Sequence, residues 1–95
     1  MKKKLSVVLV GYRKEAIKKA LDIFNQVQLV VPKSTKIPNS LKIANIYYYE
    51  NDELDFELNN EPDLCLPLSE SAVMMASKIK ESYRCHGYGE ALSLL

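Results

Sequence analysis

Two short, β-branched, almost wholly apolar runs, Leu5 to Val10 and Val27 to Val31, flank a stretch whose apolar residues recur at helical spacing. This succession restricts the fold more than any other feature of the chain. An apolar run without alternation is the mark of a strand covered on both faces. Gly11 ends the first run, and Pro32, which cannot donate to a strand ladder, closes the second. Between them, Ala16, Ile17, Ala20, Leu21 and Phe24 form one stripe, while Glu15, Lys18, Lys19 and Asp22 occupy the other side. The spacing predicts an amphipathic helix from Lys14 to Asn25, with Asn25 as its stop signal. Strand, helix and strand in this order make a βαβ unit, whose strands run parallel because the helix returns the chain to the starting edge.

The remainder extends the same plan. Lys33 to Lys42 contains Pro38 and polar residues and reads as a loop with at most a short helical turn, and Ile43 to Tyr49 supplies a third strand. Over Asn51 to Asn60, Leu54, Phe56 and Leu58 alternate as in a strand, while Leu54 and Leu58 also fit a helical turn. The reading there is an irregular or short helical connection. Leu64 to Pro67 forms a brief fourth strand, and Glu70 to Tyr83 a second helix with Ala72, Val73, Ala76, Ile79 and Tyr83 as its apolar stripe and Met75 at the edge. Met74 and Met75 read first as core filler. Cys85 to Gly89 is a turn, and Glu90 to Leu95 the start of a helix. The expected fold is an α/β domain over residues 1–95 with a four-stranded parallel sheet.

A chain of 95 residues holds one modest core, since folding at this size buries roughly 60 to 70% of the surface of the unfolded chain. The lysines at positions 2 to 4 precede an apolar run too short for a secretory leader, and no segment is long enough to span a bilayer. These features point to the cytoplasm and to no membrane partner. Cys65 and Cys85 lack Cys-x-x-Cys spacing and are expected as free thiols, and His86 is a lone imidazole in a loop. No metal site is expected. Net charge is +1, yet residues 1–42 carry +8 and residues 43–95 carry −7. If the halves share one sheet, a strong dipole crosses the domain. The tyrosines are not interleaved with the basic residues as a base-stacking surface needs, which disfavours nucleic acid.

Ligands of open parallel sheets sit outside the carboxyl ends of the strands. The candidates are Gly11, Tyr12 and Arg13 after the first strand, Lys33 to Thr35 after the second, and Leu68, Ser69 and Glu70 after the fourth. Arg13, at the start of the first helix, suits a carboxylate or phosphate, and a solvated arginine is the competing reading. Glu70 opens the second helix, where an acid complements the helix dipole; contact with a substrate amine or hydroxyl is the functional alternative. The Gly-x-Gly-x-x-Gly of dinucleotide sites and the Gly-x-x-x-x-Gly-Lys of phosphate loops are missing, as are the acids of a phospho-acceptor domain. No Ser, His and Asp set is spaced for nucleophilic catalysis.

The segment Pro62-Asp63-Leu64-Cys65-Leu66-Pro67-Leu68-Ser69-Glu70-Ser71-Ala72-Val73, with Ala76, Gly87 and Gly89-Glu90-Ala91 beyond it, resembles the end of the amino-terminal domain of ATP-grasp ligases. Val7-Val8-Leu9-Val10-Gly11, Arg13 and Glu15 to Leu21 are similar to the first βα unit of that domain, and Ala44-Asn45 stands where members often carry Ala-Asp. The resemblance implies a three-layer α/β/α, Rossmann-like fold with strand order 3-2-1-4, the substrate-side domain that precedes the ATP-binding halves of carboxylate-amine ligases and carbamoyl-phosphate-type synthetases. There ATP and Mg²⁺ activate a carboxylate as an acyl phosphate for attack by an amine or similar nucleophile. Gly11, Tyr12 and Arg13 would line the first substrate loop, and Glu70 would face the substrate. The family's ATP-gripping lysines and metal carboxylates lie beyond this domain, so the chain alone is expected to hold no cofactor and to be inactive. Its partners would be a small-molecule substrate and the remaining domains of the same polypeptide; a homodimer is compatible. The alternative is a non-enzymatic α/β ligand-binding or protein-interaction module, with the charge asymmetry serving docking.

Overall fold

A computed structural model describes residues 3–85. The chain runs β1 (Lys3–Val10), α1 (Lys14–Ile23), β2 (Phe24–Pro32), β3 (Asn45–Tyr49), β4 (Leu64–Pro67), a 3-10 turn (Glu70–Ala72) and α2 (Val73–Tyr83). The four strands form one sheet in the order β3-β2-β1-β4, and every neighbouring pair is parallel. Both the α/β class and the strand order agree with the sequence reading. The turn and helix start expected beyond Cys85 lie outside the described residues. Among the described residues no helix is long and apolar enough to cross a membrane.

Alternation along β1 divides the interior into two layers, because successive side chains of a strand point to opposite faces. Val7 and Leu9 pack with Ile17, Phe24, Leu29 and Leu66 on the α1 side. Val8 and Val10 pack with Val30, Cys65, Met75 and Ile79 on the α2 side. The central strands are therefore apolar at every position from Val7 to Val10, each at most 1% exposed. Burying each such side chain contributes roughly 1.5 to 3 kcal/mol before the entropy of ordering it is subtracted.

Several boundaries differ from the sequence reading, each for a tertiary reason. α1 ends at Ile23 instead of Asn25, because Phe24 takes extended backbone (φ −101°, ψ 146°) and opens β2. Its ring, expected on the helical stripe, instead enters the core from the sheet, and Lys3↔Phe24 extends the β1 ladder by two residues beyond Leu5. β3 starts at Asn45 instead of Ile43, where pairing with Gln28 begins. The second helix opens as a 3-10 turn, and its buried face is shifted by one position at Val73 and Met75 only. Met75 is fully buried, whereas Val73 is 49% and Met74 60% exposed. Residues 51–63 are irregular, without helix or strand.

A buried amide anchors that irregular connection. Gln28 is fully buried in β2. Its Nε2 donates to Asn60 O at 2.9 Å, and its Oε1 accepts from Tyr47 Oη at 3.0 Å. Tyr47 Oη in turn accepts from Asn59 N at 2.8 Å, and Tyr83 Oη accepts from Leu58 N at 3.0 Å. At the other end of the connection, Ser6 N donates to Asp63 Oδ2 at 2.8 Å and Asp63 N to Ser6 O at 2.7 Å, which sets β4 beside β1.

Candidate ligand-binding site

β1 and β4 finish together, with Val10 opposite Pro67, and Leu68 N continues the pairing by donating to Val10 O at 2.8 Å. The two connections that leave this edge are then forced close. Gly11 N donates to Val30 O at 2.8 Å while its backbone turns at φ +99°, a conformation that residues with a Cβ rarely adopt. A Cβ on Gly11 would lie 3.1 Å from Ala72 Cβ and 3.3 Å from Ser69 Oγ. Gly11 therefore brings the loop after β1 against the loop after β4. Tyr12 is half-buried and packs on the α1-side core.

Beyond this contact lies a groove of about 570 Å³ between α1 and β4. Arg13, Ser69 and Glu70 are among its lining residues, as are Leu9, Leu66 and Phe24. On α1, Arg13, Ala16 and Ala20 share one face, since residues three and four apart lie one above the other. The two alanines leave the space that larger side chains would fill. Leu68 and Val73 line the groove from the other connection, and Lys19 from the helix.

The charges at the groove are exposed and not paired with one another. Among the described residues the ion pair joins Lys33 Nζ to Glu50 Oε1 at 3.3 Å, elsewhere on the surface. Arg13 is the N-cap residue of α1, and among the described residues no side chain caps that helix's first turn. Its orphan N–H groups thus favour an anion. Ser69 Oγ and Ser71 Oγ are hydrogen-bonded at 3.0 Å, with either as donor.

Of the sequence candidates, the fold brings Arg13, Leu68, Ser69 and Glu70 to one groove. Gly11 holds the loops together behind it. Lys33 to Thr35 fall apart from it, with Lys33 and Thr35 beside Glu50 and Tyr48. Ala16, Ala20 and Lys19 are groove residues that sequence reasoning did not single out. Small residues repeated at i and i+4 on an otherwise apolar face were the available signal, but a space is defined only by what stands opposite.

The cysteines are both free and buried. Burial, and next the neighbouring Cys85, push the Cys65 thiol up to about 12, so it is not a nucleophile at neutral pH. Its Sγ donates to Ala76 O at 3.5 Å. Burial also raises the Cys85 thiol. Among the described residues, no group of three His, Cys, Asp or Glu side chains is placed to hold a metal ion.

No family model matches the chain, and no curated protein or solved structure matches it.

Proposed function

We propose that this chain is a substrate-binding α/β domain of the kind that precedes the ATP-binding halves of ATP-grasp ligases, acting in the cytoplasm. The observation that carries the reading is the meeting of Arg13 and Glu70, from two different βα connections, on one groove at the carboxyl ends of β1 and β4. A cationic and an anionic side chain over an apolar floor suit the binding of a small polar-headed substrate. The likeness of Pro62 to Val73 and of Val7 to Leu21 to the ATP-grasp amino-terminal domain supplies the class. ATP and Mg²⁺ would then be bound by other domains of the same polypeptide.

The test is kinetic, in a polypeptide that carries the ATP-binding halves. Arg13→Ala and Glu70→Ala should each raise KM for the carboxylate or amine substrate by about tenfold or more, the scale of one lost charge-assisted hydrogen bond. KM for ATP should stay within about twofold if these residues bind substrate alone. Equal effects on both substrates, or none on either, would remove Arg13 and Glu70 from substrate binding.

A further inference from the structure

We infer that the groove binds an amino acid with a large apolar side chain, its charged head at Arg13 and Glu70 and its side chain lying between α1 and β4. This rests on the groove being the binding site proposed above. Three observations narrow the ligand.

The first is the charge pattern. Arg13 and Glu70 both line the groove, and they do not neutralise one another through an ion pair. A ligand with a single charge would meet one partner and one repulsion. A zwitterion satisfies both: its carboxylate accepts from the Arg13 guanidinium and from first-turn N–H groups of α1, which lack a side-chain acceptor. Its ammonium donates to the Glu70 carboxylate.

The second is the surface away from these charges. Ala16, Leu68 and Val73 present its accessible apolar surface, above Leu9, Phe24 and Leu66, each at most 4% exposed. Lys19 is also in the lining and is exposed, so its stem can lie along the wall while its ammonium stays in water. Arg13, Lys19, Ser69 and Glu70 are its polar lining residues and all are exposed, so a second polar group lying over the apolar part would be desolvated without a partner.

The third is size. About 570 Å³ lies within the range of small-molecule sites, roughly 300 to 1,000 Å³, and exceeds the needs of a two-carbon amino acid. Each methylene buried there multiplies affinity about fourfold, from roughly 0.8 kcal/mol per CH₂.

The experiment is an NMR titration of the ¹⁵N-labelled 95-residue chain with L-phenylalanine, L-leucine, glycine, L-glutamate, 3-phenylpropanoate and phenethylamine. Phenylalanine and leucine should shift the amides of residues 13–16 and 66–70 and bind at least about tenfold more tightly than glycine or glutamate. Each phenylalanine analogue lacking one charged group should bind about tenfold more weakly than phenylalanine. Arg13→Gln should abolish the advantage over phenethylamine, and Glu70→Gln the advantage over 3-phenylpropanoate. Ala16→Leu should fill the groove and weaken phenylalanine binding at least about tenfold with an unchanged far-UV spectrum; Ala20→Leu serves if Ala16→Leu does not fold.

Glycine or glutamate binding as tightly as phenylalanine would overturn the apolar ligand while leaving the Arg13 and Glu70 site in place. 3-Phenylpropanoate matching phenylalanine would overturn the zwitterion, removing the Glu70 contact while leaving an apolar carboxylate in the groove. Amide shifts from no ligand at all would remove both the ligand and the proposed site. Groove amides that shift with protein concentration, together with sedimentation as a dimer and no phenylalanine binding, would assign the groove to a second copy of the chain.

Discussion

Gly11 is legible in the sequence as the end of an apolar run, yet the reason no other residue fits is tertiary. Its φ of +99° and the 3.1 Å approach of Ala72 Cβ depend on a loop contributed much later in the chain. Gly11→Ala should therefore combine backbone strain with a clash. The expected loss is about 1 to 3 kcal/mol in urea denaturation. Amides of the loops after β1 and β4 should shift while those of β3 stay in place; a variant as stable as the parent would mean that the turn relaxes without cost. Gln28 shows the opposite case. Within Val27 to Val31 it looks like an interruption of an apolar strand. Only the Tyr47 hydroxyl and the Asn60 carbonyl explain why a buried amide is tolerated there. The distant partners of a side chain are not written beside it, so residues with local duties were readable and residues with remote ones were not.

At the level of elements, periodicity located β1, α1, β2 and β4 because each strand is apolar on both sides and the helix carries a single stripe. The strand order came with the family resemblance and not with periodicity, and the sheet has that order. Phase was less visible. The expected stripe holds at Ala72, Ala76, Ile79 and Tyr83, but Val73 turns outward and Met75, expected at the edge, takes a place in the core. Two adjacent methionines distinguish the phases. Met75→Ala should cost about 2 to 5 kcal/mol, the range for emptying a buried methionine site, and Met74→Ala less than about 0.5 kcal/mol. Thermal or chemical denaturation of the two variants measures this directly. Equal losses would mean that the core does not distinguish the two methionines. The groove was legible only in part: Arg13 and Glu70 stood out by position and charge, but Ala16 and Ala20 acquire meaning from the leucines of β4 across from them.

For the whole molecule, the lopsided charge acquires a direction. α1, with exposed Lys14, Lys18 and Lys19, packs on one face of the sheet, while the connection carrying exposed Glu53, Asp55 and Glu57 inserts Leu54, Phe56 and Leu58 on the other. The expected dipole thus runs through the layers of the domain. The acidic connection is also the part with least regular backbone pairing, and its order rests on a few side chains: the Tyr47 ring stacks on Phe56 at 5.3 Å, and its hydroxyl joins Asn59 N to Gln28 Oε1. β1 and β2, by contrast, are paired without a break from Ser6↔Gln26 to Val10↔Val30, and Val7 to Val10 and Val27 to Val31 are buried. Amide exchange should therefore be slowest at Val7 to Leu9 and Leu29 to Val31, opening only with global unfolding, and faster over residues 51–57. Tyr47→Phe keeps the ring and removes the hydroxyl, which leaves the buried Gln28 Oε1 and the Asn59 N–H without that partner. Exchange at Asn59 should accelerate about fivefold or more, the equivalent of about 1 kcal/mol. Because both sites share the same loss of global stability, the difference between Asn59 and Val8 isolates the connection. If the two accelerate by the same factor, the connection and the sheet unfold as one unit, and the tyrosine hydroxyl contributes to the whole fold instead of to the acidic face alone.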